Sequence, residues 1–279
     1  MTFPSLTAGA VAVLTAADPA DKRRLSTGLA ADWQAGGLDI GRVRPPNRPA
    51  RPARPELLTP GKMPRRRAGQ SPANRVALLH ALAHIELNAV DLAWDLIARF
   101  ADRDLPRAFL DDWVAVAAEE AVHFGLVCGR LEALDAAYGD LPAHDGLWEA
   151  AANTAHDLAA RLAVVPLVLE ARGLDVTPAM IARFERFGDT DTAAVLRRIL
   201  SDEIKHVAAG RRWFDHLCDA QGIDAPRQFR ALVKRHYGGQ LKPPFNETAR
   251  TAAGFGACYY DPGAKERSEQ EAFFVFTDK

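Results

Sequence analysis

The sequence predicts an all-α protein built around a four-helix bundle, with extra helices and irregular arms at both ends. Alanine and leucine dominate the 279 residues, and β-branched runs are few. Four long stretches carry apolar residues at helical spacing. No strand–helix alternation, glycine-rich phosphate loop or nucleophile elbow is present, so common nucleotide-binding and hydrolase folds are excluded.

The four long helices are predicted from apolar periodicity and from capping residues. Ser71 and Pro72 open the first, as a cap and a first-turn proline do. Pro166 should kink the third, Gly173 should end it, and Thr177 should cap a short helix after it. The predicted ranges are 71–101, 106–138, 145–172 and 189–220.

The flanking regions divide the chain into three parts. Residues 1–70 should form two short helices and a proline- and arginine-rich arm, 71–222 the bundle, and 223–279 a C-terminal extension. The extension should begin with a short helix and then become irregular. Its last residues, 268–279, should form a strand or a docked segment.

The motif Glu-x-x-His occurs in two of the long helices. It is formed by Glu120 and His123 in the second helix, and by Glu203 and His206 in the fourth. The other two helices each carry one mid-helix glutamate. The separations match, since Glu86 precedes Glu120 by 34 residues and Glu170 precedes Glu203 by 33. A single such motif is common by chance, but two copies with matching partners predict a pseudo-repeat.

These polar residues fall on the apolar stripes of their helices. Glu120 and His123 lie on the stripe of Trp113, Val116 and Phe124. Burying an ionised carboxylate costs several kcal/mol, and four together also repel one another. Two divalent cations would balance the four negative charges. The sequence therefore predicts a dinuclear site, and oxygen and nitrogen ligands favour iron or manganese.

The stretches "LLHALAHIELNAVDLAWD", "VLEARGLDVTPAM" and "LSDEIKHVAAGRRWF" resemble the ferritin-like superfamily. More closely, the chain resembles a bacterial family of ferritin-like domains of unknown function. The resemblance implies a ferritin-like four-helix bundle with a di-iron carboxylate centre. Such bundles in general hold their metal ions with glutamates and Glu-x-x-His pairs. The implied ligands are Glu86, Glu120, His123, Glu170, Glu203 and His206, and the four glutamates would also be the catalytic groups.

Three hypotheses of function follow. The first is a non-haem di-iron oxidoreductase that activates O₂ to oxidise or hydroxylate a small organic substrate, with electrons from an external donor or from the substrate. The second is an iron- or manganese-binding storage protein with ferroxidase activity. The third is a tRNA-modifying hydroxylase. Long extensions at both ends favour the first, because they could enclose a substrate pocket and are awkward for packing in a storage shell.

The arm from Arg42 to Arg67 carries eight arginines and Lys62 against one acid, Glu56. It could bind phosphates, but it lacks aromatic residues for stacking. We therefore expect it to lie across its own bundle, and an RNA partner is not expected.

Composition and charge argue for a cytoplasmic protein. The formal net charge is −1, three scattered cysteines form no pairing motif, and no signal peptide or membrane span is predicted. We expect a monomer or a small homo-oligomer.

Overall fold

The computed structural model describes residues 3–64 and 71–261. Every regular element in these ranges is helical, and the β-structure within them is limited to an isolated bridge between Leu57 and Ala143. The predicted all-α class is confirmed. The chain divides into two compact units, one of residues 1–156 with 179–199 and the other of 157–178 with 200–279.

The first unit is built around a long helical hairpin. Its helices are α1 (Leu6–Thr15), α2 (Pro19–Gln34), α3 (Pro72–Phe100), α4 (Arg107–Glu132) and α5 (Gly146–Asn153). Helices α1 and α2 pack against the α3–α4 hairpin. Ser71 caps α3 as predicted, since its side chain accepts a hydrogen bond from the backbone N–H of Asn74 at 3.3 Å.

Helix α4 ends six residues before the predicted limit of 138. Asp135 has φ of 55°, and the N–H of Ala136 donates to the carbonyl of Leu131 at 3.0 Å. This is a Schellman-type end, which usually has glycine at the left-handed position. Aspartate tolerates that conformation better than most residues, so the sequence signal was weaker than a glycine would give.

The proline- and arginine-rich arm is extended apart from one 3₁₀ turn, Pro60–Lys62, and its residues 65–67 lie outside the described ranges. Arg48 pairs with Asp145 at 2.6 Å. Arg51 contacts Asp91 and Asp145. Two arginines of the arm thus pair with aspartates of the first unit, as expected if the arm lies across its own protein.

The second unit contains the remaining elements. It holds α6 (Leu158–Val164), a π-helical segment (Val165–Glu170), α9 (Ala225–His236), α10 (Glu247–Ala252) and α11 (Ala257–Tyr260). It also includes the first part of α7 (Ala171–Arg186) and the second part of α8 (Thr190–Asp219). Helix α8 matches the prediction closely. Residues 247–260 were expected to be irregular, but most of them form two short helices, while 268–279 lie outside the described ranges.

The third predicted helix, 145–172, begins where expected, at Gly146, but the prediction is wrong in the middle and at the C-terminal end. The chain breaks between α5 and α6, where Asp157 caps α6 by accepting from the N–H of Ala160 at 3.2 Å. Pro166 then lies in the π-helical segment. A proline lacks the N–H that an α-helix needs, and a wider turn accommodates it. A Cβ placed on Gly210 would lie 2.5 Å from the Cβ of Pro166, so glycine is required for this approach.

Gly173 does not cap a helix, and α7 continues through Thr177 to Arg186. Pro178 lies inside α7 and cannot donate to the carbonyl of Leu174. The side-chain amide of Asn246 donates to that carbonyl at 3.0 Å instead. A residue 72 positions away thus replaces the lost helical hydrogen bond, and no local signal could reveal it.

The same segment is anchored by a buried ion pair. Arg250 donates to both carboxylate oxygens of Asp175, at 2.8 and 2.7 Å. The guanidinium also lies over the rings of Phe245, Phe255 and Tyr260. This bidentate pair fixes the C-terminal segment to α7.

Of the described residues, Pro72–Phe100 forms one helix long and apolar enough to cross a membrane. Of its most apolar window, 67% is buried within the protein, as in a core helix.

We expect Asn246→Ser to lower the free energy of unfolding by about 1–2 kcal/mol, because serine keeps a capping oxygen for α10 but its shorter side chain lacks the amide N–H that donates to the Leu174 carbonyl. The Pro178→Ala background restores a helical N–H for that carbonyl. The cost of Asn246→Ser should therefore be smaller there. Urea denaturation of the four proteins in this double-mutant cycle measures the difference, and equal costs in both backgrounds would contradict the assignment.

Candidate metal centre

The α3–α4 hairpin brings the first glutamate level with the first Glu-x-x-His motif. Glu86 lies 14 residues before the end of α3 at Phe100, and Glu120 lies 13 residues after the start of α4 at Arg107. Helices joined by so short a loop run antiparallel, so these positions face each other. The spacing of three residues puts Glu120 and His123 on one face of α4.

The side chains meet as this register requires. The Nδ1 atom of His123 lies 3.4 Å from Oε2 of Glu120 and 3.5 Å from Oε2 of Glu86. Each residue offers one ligand atom, and these three atoms lie within 4.8 Å of one another. Glu86 is 2% exposed and the other two are fully buried. A cluster of glutamate and histidine side chains in the first unit could therefore hold a metal ion.

The two carboxylates of this cluster favour a positive charge between them, which changes the pKa of His123. Burial opposes the charged imidazolium of His123, but hydrogen bonds and charges from Glu120 and Glu86 outweigh it and raise the pKa of His123 to about 11. In the metal-free protein the imidazole therefore holds a proton at neutral pH. A metal ion that takes this nitrogen must displace the proton.

The donor set fits a divalent transition metal. Two carboxylates and one imidazole converge without thiolates, a combination that suits iron or manganese and also zinc. Ligands on consecutive helical turns of two packed helices form a rigid frame for such an ion.

The second unit contains the other Glu-x-x-His motif. The Nδ1 atom of His206 lies 3.6 Å from Oε2 of Glu203, and His206 is 1% exposed. Glu170 ends the π-helical segment, four residues after Pro166, while His206 lies four residues before Gly210. Since Pro166 approaches Gly210 and the short turn between α7 and α8 makes them antiparallel, Glu170 lies at the level of His206.

Two histidines of α3 near Glu86, His80 and His84, have structural partners. Burial first, and then the charge of Arg51, lowers the pKa of His84 to about 4. Its ring nitrogens contact the Tyr138 hydroxyl at 2.8 Å and the His144 carbonyl at 3.1 Å. His80 accepts a hydrogen bond from the N–H of Gly139 at 2.9 Å.

Asp91 and Asp95 follow Glu86 on α3. Both are fully buried. Asp91 pairs with Lys22 and with Arg51, and Asp95 pairs with Arg99 at 2.6 Å. The sequence gave no sign of the Lys22–Asp91 pair, because 69 residues separate its members and Lys22 lies in a polar stretch.

We expect the metal-free protein to lose stability relative to a His123→Gln variant as pH rises from 7 towards 10. The folded pKa of His123 is raised above its usual value near 6.5. Its stabilising contribution is therefore complete below about pH 6.5 and is lost as pH rises through about 11. Urea denaturation with a chelator at several pH values measures this. His236→Gln serves as control and should follow the wild type, and parallel curves for the wild type and His123→Gln would contradict the assignment.

Comparison with known proteins identifies the family. The model of the family "Protein of unknown function (DUF455)" matches residues 15–261. An uncharacterised protein of Haemophilus influenzae is 42% identical over 209 residues, which cover 73% of this chain and 72% of that protein. No solved structure matches the chain. Because the family model spans most of its length, the chain belongs to the DUF455 family.

Proposed function

We propose that this protein is a non-haem oxidoreductase with a dinuclear metal centre, specifically di-iron, that activates O₂ to oxidise or hydroxylate a small organic substrate. The observation that carries the proposal is the buried convergence of Glu86, Glu120 and His123 in the first unit. In this proposal the helices that carry the six ligands form a ferritin-like four-helix bundle.

The second ligand set supports two ions rather than one. Glu203 and His206 repeat the spacing of Glu120 and His123. Glu170 precedes its motif by 33 residues, and Glu86 precedes the first motif by 34. Each hairpin thus offers two carboxylates and one imidazole. In the proposed centre the four glutamates would hold the two ions, and each histidine would add a ligand to one of them.

Charge balance favours this arrangement over a purely structural cluster. The side chain of Glu203 is only 12% exposed, and Glu86 and Glu120 are buried more completely. Four ionised carboxylates would carry four negative charges, which two divalent cations neutralise. In the metal-free state the His123 proton offsets part of the charge, and His123 would release this proton on binding a metal ion.

A bound pair of redox-active ions would supply the electron transfer to O₂ that amino-acid side chains cannot provide. The protein would fix the ion spacing through α3 and α4, and the apolar stripes would exclude water. Trp113, Val116 and Phe124 supply such a stripe on α4, and all three are buried. A dry surrounding of this kind protects a reactive centre from side reactions.

Metal analysis tests the ligand assignment. We expect protein purified aerobically from iron- and manganese-replete medium to contain about two ions per chain. The pairs Glu86→Ala with His123→Ala, and Glu203→Ala with His206→Ala, should each reduce the content to one ion or fewer. Elemental analysis by mass spectrometry gives the stoichiometry.

Glu119→Gln is the matched control, because it removes a carboxylate from the neighbouring position of α4 and should keep the wild-type metal content. A protein without bound iron or manganese would count heavily against the proposal. If Glu86→Ala with His123→Ala lost all bound metal and Glu203→Ala with His206→Ala kept the wild-type content, the result would indicate a single-ion site.

Oxygen uptake separates the enzyme from the storage alternative. We expect the anaerobically loaded Fe(II) protein to consume O₂ with a stoichiometry set by its bound ions, in a monomer or small oligomer. Continued oxidation of many irons per chain within a large shell, seen by light scattering, would favour storage instead. An oxygen electrode and light scattering on the same sample provide both measurements.

A further inference from the structure

Helix α9 and the loop after it form an unusually basic segment in a chain of nearly neutral charge. Residues 225–246 contain five lysines and arginines and no aspartate or glutamate. The whole chain has a net charge of −1. Positive charge is thus concentrated on one element of the second unit.

The basic side chains lie on the outer face of α9. Phe229, Leu232 and Val233 are buried against the second unit. Arg227, Lys234 and Arg235 are exposed, and Lys242 in the following loop is exposed as well. We call these four residues the α9 basic surface.

In the described part of the chain, no acid pairs with the side chains of this surface. Within residues 3–64 and 71–261, none of its four side chains forms an ion pair. Arg230 differs, because its guanidinium donates to the backbone carbonyl of Cys258. Arg48 and Arg51 of the arm also differ, since both pair with aspartates. The α9 basic surface therefore keeps its charge available for a ligand.

An aromatic ring lies beside these charges. Tyr237 follows α9 directly and is 37% exposed. A Cβ on Gly239 would lie 2.9 Å from the Tyr237 ring, so the ring lies close to the glycine backbone. Gly238 adopts φ of 65°, which turns the chain sharply at this point. The arm of residues 42–64 contains no aromatic residue.

We infer that the α9 basic surface binds single-stranded nucleic acid, with its cations on the phosphates and Tyr237 stacking on a base. Proteins that bind single strands without strong sequence preference combine a basic track with exposed aromatic rings. An anionic membrane is less suitable, because insertion requires large apolar side chains between the cations. The exposed positions of α9 carry Arg227, Ala231, Lys234 and Arg235 instead.

This surface is independent of the proposed metal centre. It comprises no candidate ligand, and its argument requires no bound metal. A variant that loses metal, such as Glu86→Ala with His123→Ala, should bind the same strands with unchanged affinity. The failure of one proposal is thus distinguishable from the failure of the other.

Fluorescence anisotropy with a labelled 20-nucleotide poly(U) RNA tests the inference on the full chain. We expect Lys234→Gln with Arg235→Gln to weaken binding at least fivefold at low salt. The slope of log affinity against log salt should fall by about 1.4, since each phosphate contact on a single strand contributes about 0.7. Oligo(dT) of equal length distinguishes RNA from DNA as the preferred strand.

The charge-matched control is Arg42→Gln with Arg44→Gln, which removes two exposed arginines from the arm. It should bind as the wild type does. An equal loss in both variants would show a general charge effect and overturn the inference. No RNA or DNA binding at low salt, or binding only to phosphatidylserine vesicles, would also overturn it.

Tyr237→Ala tests the stacking contact separately. We expect about tenfold weaker binding to poly(U), within the range found for loss of one base stack, and an unchanged salt slope. Tyr237→Phe keeps the ring and should retain affinity. Equal affinity of Tyr237→Ala and the wild type would remove the ring from the proposed surface.

Discussion

Ionisable side chains buried in apolar helix faces impose the main constraint on this structure. Glu120 and His123 are fully buried, and Glu86 is nearly so. An uncompensated carboxylate in such surroundings costs several kcal/mol. The α3–α4 hairpin offsets this cost by placing the imidazole of His123 between two carboxylates. That placement requires the two helices to keep one register along their length.

Helix α3 shows how far this constraint reaches. Glu86 faces α4, whereas Asp91 lies about 140° further around the helix at 100° per residue. Asp91 meets Lys22 from α2 and Arg51 from the arm, so a second polar system lies on another face of α3. A helix with polar groups on two buried faces must be enclosed by several elements. The two elements that supply these partners, α2 and the arm, pack in the same unit as the hairpin.

The second unit meets its constraints mainly through the backbone. Pro166 requires a wide π-helical turn and a glycine at position 210. Pro178 leaves the Leu174 carbonyl without its helical donor, and Asn246 supplies one from the C-terminal segment. The segment that provides this donor is held by Arg250 on Asp175. Turns of the π type are often found near functional groups, and this one ends at Glu170.

The sequence alone determined the helical class, the limits of α3 and α8, and the six candidate ligands, because apolar periodicity and a three-residue spacing are local properties. The structure shows the close approach of Glu86, Glu120 and His123, while the dinuclear centre remains a prediction. Tertiary structure decided the break before Asp157, the passage of α7 through Pro178, and the pairing of Lys22 with Asp91. Each of these features depends on a partner distant in the chain or on a competition between backbone hydrogen bonds. Such interactions do not produce a periodic pattern in the sequence.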